Sequence, residues 1–193
     1  MTRRYILTGT PGAGKTAVLL LLEKLGYAVV PEAATDVIAL AQALGETETW
    51  QGESFVDEIV ALQRQRESRA GEAEVQVFDR SPICTQALST YLGRAVRPAL
   101  AAEVDRITRE RTYQRQVFFV RNIGFCEPTA ARRISFADSL RFERIHEETY
   151  RAFGYELIDV PAGPLVDRVA AIRRVLPPAR YHPQSAASPR RPR

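Results

Sequence analysis

The sequence predicts an α/β protein built on a parallel five-stranded sheet with helices on both faces. Short apolar runs alternate with longer segments of helical period, and the sheet must be parallel if each crossover is a helix. Gly or Pro punctuates most of the boundaries. The chain's 193 residues, 45% hydrophobic and 26% charged, suffice for one domain with a real core.

The elements follow in order. Residues 4–8 form a short strand candidate ending at Gly9, and the segment TAVLLLLEKL then reads as a helix stopped by Gly26. Ala28-Val29-Val30 is a second strand, halted by Pro31. Residues 33–44 suit a helix, GETETWQGES a loop, and Phe55, Ile59, Leu62 and Arg66 share one helical face. Residues 75–78 are a third strand closing in Asp79-Arg80-Ser81-Pro82. Pro82 fits the first turn of a helix capped by Ser81 and running to Leu92. Residues 98–111 are helical and 116–120 a fourth strand. After an irregular stretch, SFAD at 135–138 offers a capping-box entry into a helix with Phe142, Ile145, Thr149 and Ala152 on its inner face. Residues 157–160 are the fifth strand and 165–176 the last helix. Residues 177–193 hold five of the twelve prolines and are expected to be a disordered tail beyond a domain of residues 1–176.

Charge is unevenly placed. Of 27 basic side chains only Lys15 and Lys24 are lysines, and the net charge of +4 equals the four arginines of the tail. The remainder is neutral overall, so no specific nucleic-acid partner is expected from the basic balance. The two cysteines, Cys84 and Cys126, lack metal or disulfide spacing and read as packing thiols, with a reactive Cys84 as the alternative. No run approaches a membrane span, and a cytoplasmic location is the default expectation. Four tail arginines leave a weak peripheral phospholipid contact conceivable.

Gly9-Thr10-Pro11-Gly12-Ala13-Gly14-Lys15-Thr16 matches GxxxxGK[ST] in full, between a strand and a helix. Such a P-loop turns its N–H groups inward onto phosphate oxygens and adds the positive end of a helix. Lys15 then supplies a mobile charge to the β- and γ-phosphates, and Thr16 a hydroxyl to Mg²⁺. The expected ligand is ATP or GTP with Mg²⁺. VQVFD at 75–79 is the matching Walker B segment and delivers Asp79 to the same sheet edge as a second Mg²⁺ ligand.

Arg80 follows Asp79 where a dedicated ATPase would place glutamate. Position 82 is proline, not the glycine of DxxG, and VRNIG after the fourth strand is not NKxD. These departures count against a dedicated hydrolase or a standard GTPase switch; DRS at 79–81 instead resembles small-molecule P-loop kinases, which implies that Arg80 holds the acceptor or its phosphate through planar bonds. Glu32, just past the second strand, is the candidate base, with Asp79 for Mg²⁺, although the two roles could be exchanged. Arg132 and Arg133 are candidate charge clamps of a kinase-like lid, with Arg141 and Arg144 behind them. His146 reads as structural. Trp50 either stacks on a ring of the acceptor or packs on its neighbouring helix, and Thr35 and Asp36 point from the same region.

Together, GTPGAGKT, VVPEAATDVI, FDRSPICT and RRISFADSLRFERIHEETY resemble the AAA-type P-loop family that includes the NadR ribosylnicotinamide kinase domain and an insect protein of ion-channel trafficking. The resemblance spans residues 3–175 and implies a kinase-like nucleotide-binding core. Two functions are compatible with it. One is Mg²⁺- and ATP-dependent phosphorylation of a small hydroxylated acceptor, such as a nucleoside. The other is an ATP- or GTP-dependent binding protein controlling a protein or phospholipid partner.

Overall fold

The computed structural model describes residues 2–46, 48–124 and 135–179. Five parallel strands, β1 (Arg3–Thr8), β2 (Ala28–Val30), β3 (Val75–Asp79), β4 (Gln116–Val120) and β5 (Glu156–Val160), lie in the order β2-β3-β1-β4-β5. Helices connect them: α1 (Lys15–Lys24), α2 (Ala34–Ala43), α3 (Phe55–Arg69), α4 (Pro82–Tyr91), α5 (Pro98–Arg109), α6 (Phe136–Ala152) and α7 (Leu165–Arg173). A short 3-10 turn at Thr49–Gln51 interrupts the loop before α3.

Alternation along the strands splits the core in two. Leu7, Val77 and Phe118 face α1 and α7, where Val18, Leu22, Val169 and Ile172 meet them. Their neighbours Ile6, Phe78 and Val117 face Ile83, Leu100, Val104, Ile107 and Tyr150 on the other side. Both faces are therefore covered, which explains why these strands read as continuous apolar runs. A smaller cluster of Ala33, Val37, Phe55 and Ile59 joins α2 to α3 beside the sheet.

Two local expectations are corrected. Ser81 occupies the N-cap position of α4 but makes no side-chain cap; its hydroxyl meets the Tyr150 hydroxyl at 2.8 Å instead. A buried phenol needs a partner, and this bond joins α4 to α6. The inner face of α6 is Ser139, Phe142, His146 and Tyr150, not the row through Ile145, Thr149 and Ala152. Packing against α4 rotates the helix by about one residue, so that His146 is fully buried. The cap of α6 itself forms as expected, with Ser135 accepting from the Asp138 N–H at 3.1 Å.

Beyond α7, the Tyr27 hydroxyl donates to the Pro177 carbonyl at 3.1 Å and Ala179 packs on the core, so the expected disordered tail does not begin at residue 177. No described helix is long and apolar enough to cross a membrane.

Candidate active site

Topology decides where the chemistry sits. The chain leaves β1 between β3 and β4, and ligands gather at the carboxyl edge beside such a branch point. Asp79 lies level with Leu7 in the β1–β3 register, and the Arg80 N–H donates to the Leu7 carbonyl at 3.0 Å. The P-loop and the Asp79-Arg80 turn are thereby fixed side by side.

The P-loop turn depends on glycine at both ends. Gly9 has φ +140°, and a Cβ there would stand 2.3 Å from the Val120 carbonyl oxygen. Gly14, at φ +78°, would put a Cβ 2.8 Å from an Arg168 guanidinium nitrogen. Arg168, buried on α7, donates to the Ala13 carbonyl at 2.7 Å and to the Arg121 carbonyl at 3.3 Å. It braces the loop from behind, a role with no signal in the local sequence.

Lys15 is buried, and its ammonium folds back onto the carbonyls of Gly9 at 3.0 Å and Thr10 at 2.8 Å. Burial, then the nearby Arg80 cation, pull its pKa down to about 8. Asp79, Glu32 and Cys84 partly oppose that pull. Thr16 is exposed at the first turn of α1. The Asp79 Oδ1 atom is buried without a hydrogen-bond partner among the described residues. Burial also raises the Asp79 pKa, as expected for a carboxylate lacking its counter-ion. An orphaned hard oxygen that shares the cavity with Thr16 and the glycine-rich loop fits Mg²⁺.

Glu32 and Arg80 face each other as an ion pair. Burial disfavours the Glu32 charge, but Arg80 and then Lys15 outweigh it and hold the carboxyl down at about 2. Thr35 donates to Glu32 Oε2 at 2.8 Å and so fixes the carboxylate's orientation. Arg66, on the inner face of α3, ties down the preceding backbone through the Pro31 carbonyl at 3.2 Å and through the Glu32 carbonyl. Asp36 is taken up by Arg66. Arg80 has φ +71°, a left-handed backbone that costs a non-glycine residue ~1–3 kcal/mol. The conformation turns its side chain back over the sheet edge, where Glu32 and the Cys84 sulfur, at 3.0 Å, receive it.

One cavity of about 650 Å³ joins these parts. Lys15, Thr16, Asp79, Glu32 and Arg80 form its polar end, while Trp50, Ile38, Phe55, Leu88, Tyr91 and Phe142 line the other. Trp50 packs on the α2–α3 cluster, as the second of its two expected roles has it, and also lines the cavity. Gln63 and Thr85, bonded to each other at 3.2 Å, add polar groups to the recess. No local pattern marks these two, Tyr91 or Phe142 for the recess, because only the packing of α3, α4 and α6 brings them together. Arg141 and Arg144 are exposed, Arg141 lying over the Tyr91 ring. Arg132, Arg133 and Cys126 fall outside the described residues.

A family model described as an AAA domain matches residues 4–168, and the chain belongs to that family. Among solved structures it is similar to a deoxyadenosine kinase from M. mycoides with bound dATP. The TM-score is 0.58 and the identity 16%, over 89% of this chain and 97% of that one. It is also similar to the NadR protein in complex with NR, with a TM-score of 0.62 and 11% identity. That match covers 90% of this chain but only 50% of the NadR chain, so the present chain spans about half of that protein. At such identities the likeness shows the fold alone, a P-loop kinase-like one. No curated protein matches the chain by sequence.

Proposed function

We propose that this member of the AAA-domain family is a Mg²⁺-dependent phosphotransferase. In this reading it passes the γ-phosphoryl group of ATP to a hydroxyl of a small ring-bearing acceptor, of which a nucleoside is the simplest example. The observation that carries the reading is one continuous cavity lined by the P-loop, Glu32, Arg80 and an aromatic recess. A protein that only senses nucleotide has no use for a deep apolar pocket opposite the γ-phosphate, whereas a kinase needs one to place its acceptor.

The residues divide the work. Lys15 exchanges two backbone carbonyls for phosphoryl oxygens, a swing within reach of its flexible stem. Thr16 and Asp79 would hold Mg²⁺, which when bound supplies positive charge to the β- and γ-phosphoryl oxygens. Glu32 accepts a hydrogen bond from the acceptor hydroxyl and aims its oxygen at phosphorus. With its pKa near 2 it is a weak base, so orientation precedes proton acceptance. That order suits a loose phosphoryl-transfer transition state, in which the nucleophile loses its proton late. Arg80 neutralises Glu32 before the acceptor arrives and grips the acceptor or its new phosphate afterwards. Trp50 and Phe142 offer flat surfaces for a ring.

The test is a product-resolved assay with radiolabelled ATP and a panel of nucleosides and other ring-bearing alcohols. Label moving to an acceptor, and lost on Glu32→Gln by about a hundredfold or more, is the expected result. ATP that binds and is consumed only slowly whatever acceptor is present would overturn the reading and leave a nucleotide-dependent binding protein.

A further inference from the structure

Behind Arg80, away from the phosphates, a second group of reactive side chains closes over the guanidinium. Cys84 sits in the first turn of α4 and His146 on the inner face of α6, both almost wholly buried. The Cys84 sulfur is 2.9 Å from His146 Nε2 and 3.0 Å from Arg80 Nη1, and Arg80 Nη1 is 3.5 Å from the same imidazole nitrogen. Cys84 also lines the cavity wall.

The hydrogen-bond directions restrict where the protons are. His146 Nδ1 lies 3.0 Å from the Phe142 carbonyl, which can only accept, so Nδ1 carries hydrogen. Arg80 can only donate, so the sulfur serves as its acceptor. A single proton remains on the line between sulfur and Nε2. If it sits on sulfur, the thiol's hydrogen points to the imidazole and the guanidinium meets a weak neutral acceptor. If it sits on Nε2, a thiolate accepts two charge-assisted bonds from two cations, in the first turn of a helix whose dipole favours negative charge.

We propose that Cys84 and His146 form a thiolate–imidazolium pair whose sulfur is the second anchor of Arg80, making both positioning residues for the guanidinium that receives the acceptor. Arg80 is then suspended between two anions, the Glu32 carboxylate on one side and the Cys84 thiolate on the other. When the acceptor hydroxyl takes Glu32, the sulfur still holds the guanidinium in place. This explains how a residue with φ +71° stays fixed while its principal partner changes ligands.

The remaining charged and titratable groups around the sulfur agree with this. Burial is the strongest single effect on the thiol and disfavours its ionisation, but Arg80 and then His146 together outweigh it and bring the ionisation well below its ordinary range. On α6 the Tyr150 phenol, held by Ser81 at 2.8 Å, stays protonated, through burial first and the sulfur's charge second. Lys15 is close enough for the sulfur to support its charge. The Glu32 carboxylate is kept from the sulfur by Arg80, which stands between them.

The positioning role rests on the kinase reading, so the test has two arms. The first needs no activity. In the full chain carrying Cys126→Ser, the ultraviolet absorbance of the thiolate is titrated from about pH 4 to about pH 9. The expected result is a thiolate already present at neutral pH, its midpoint rising by at least about one pH unit on His146→Gln. A wild-type thiol that stays protonated at neutral pH is a satisfied core thiol and overturns the pair, and this measurement requires no further variant to fold. In the second arm, Cys84→Ser keeps the shape and removes the anion. It is expected to raise the acceptor KM about tenfold, leave ATP affinity within about twofold, and be partly rescued by Cys84→Asp. An unchanged acceptor KM overturns the positioning role. If no acceptor is phosphorylated even by wild type, the kinase reading fails while the titration still decides the thiolate.

Discussion

The two edges of the sheet carry the same kinds of side chain and use them in opposite ways. At the amino edge, Arg106 bonds Glu103 at 2.6 and 3.0 Å, Glu67 at 2.7 Å and Glu110 at 2.9 Å. Arg4 completes this group, reaching Glu67 at 3.1 Å and Gln76 at 3.3 Å. The network is closed: Arg106 and Glu67 each meet more than one partner, and Glu103 is held by two bonds from Arg106. At the carboxyl edge, Glu32 and Arg80 pair, but Asp79 keeps an orphaned oxygen and Lys15 rests on its own loop. Arg80 is held there in a left-handed backbone. Closed networks hold elements together, whereas open and strained ones are held ready for a ligand.

The sharpest way to break this contrast is Lys15→Met. It removes the phosphate-binding charge and should cut ATP-dependent turnover by about a thousandfold or more. The same change should stabilise the protein at pH 7 by about 2 kcal/mol, because a cation is no longer buried. The sign can be checked separately. Since the Lys15 pKa falls from 10.5 to about 8 on folding, the unfolded chain holds more protons between those values. Wild-type stability should therefore gain a contribution as pH rises through that window, and this contribution should vanish in the variant. Urea unfolding at several pH values measures both; a variant no more stable than wild type would mean that Lys15 is not strained in the empty site.

Arg106→Met probes the other edge. It leaves the buried Glu103 without its main counter-ion and should cost about 3 kcal/mol in urea unfolding, while turnover stays within about twofold. Adding Glu103→Leu should recover much of the loss, since a closed ion network can be exchanged for apolar packing. A large fall in turnover with intact stability would erase the distinction between the edges.

The smallest effect concerns pH and binding. Phosphate favours the charged ammonium, so ATP affinity should be level below about pH 8 and fall by up to about tenfold per unit above it. Calorimetry reads this directly, and a level affinity through the same range would mean that Lys15 does not face the phosphates.

Much of this protein was legible before any coordinates. All five strands fall within one residue of their expected bounds, because strands buried on both faces leave unbroken apolar runs. The P-loop was legible because eight consecutive residues do one job, and its glycines are dictated by positive φ rather than by distant partners. Asp79, Arg80 and Glu32 were legible as residues at or just past strand ends. Their mutual distances were not. Ser81 shows the limit: its spacing signals a cap, but a buried phenol on α6 offered its hydroxyl a better partner.

What the sequence determined by itself is the parallel α/β class, the glycine-rich turn between β1 and α1 and the sheet edge on which the candidate residues gather, all of them consequences of local period and contiguous motif. The tertiary structure alone decided the aromatic recess, the brace of Arg168 on Ala13, and the meeting of Cys84 with His146 across 62 residues. Those depend on how α3, α4, α6 and α7 rotate as they pack on the sheet. A rotation of one residue exchanges Ile145 for His146 on the buried face, and no local pattern records which of the two faces inward.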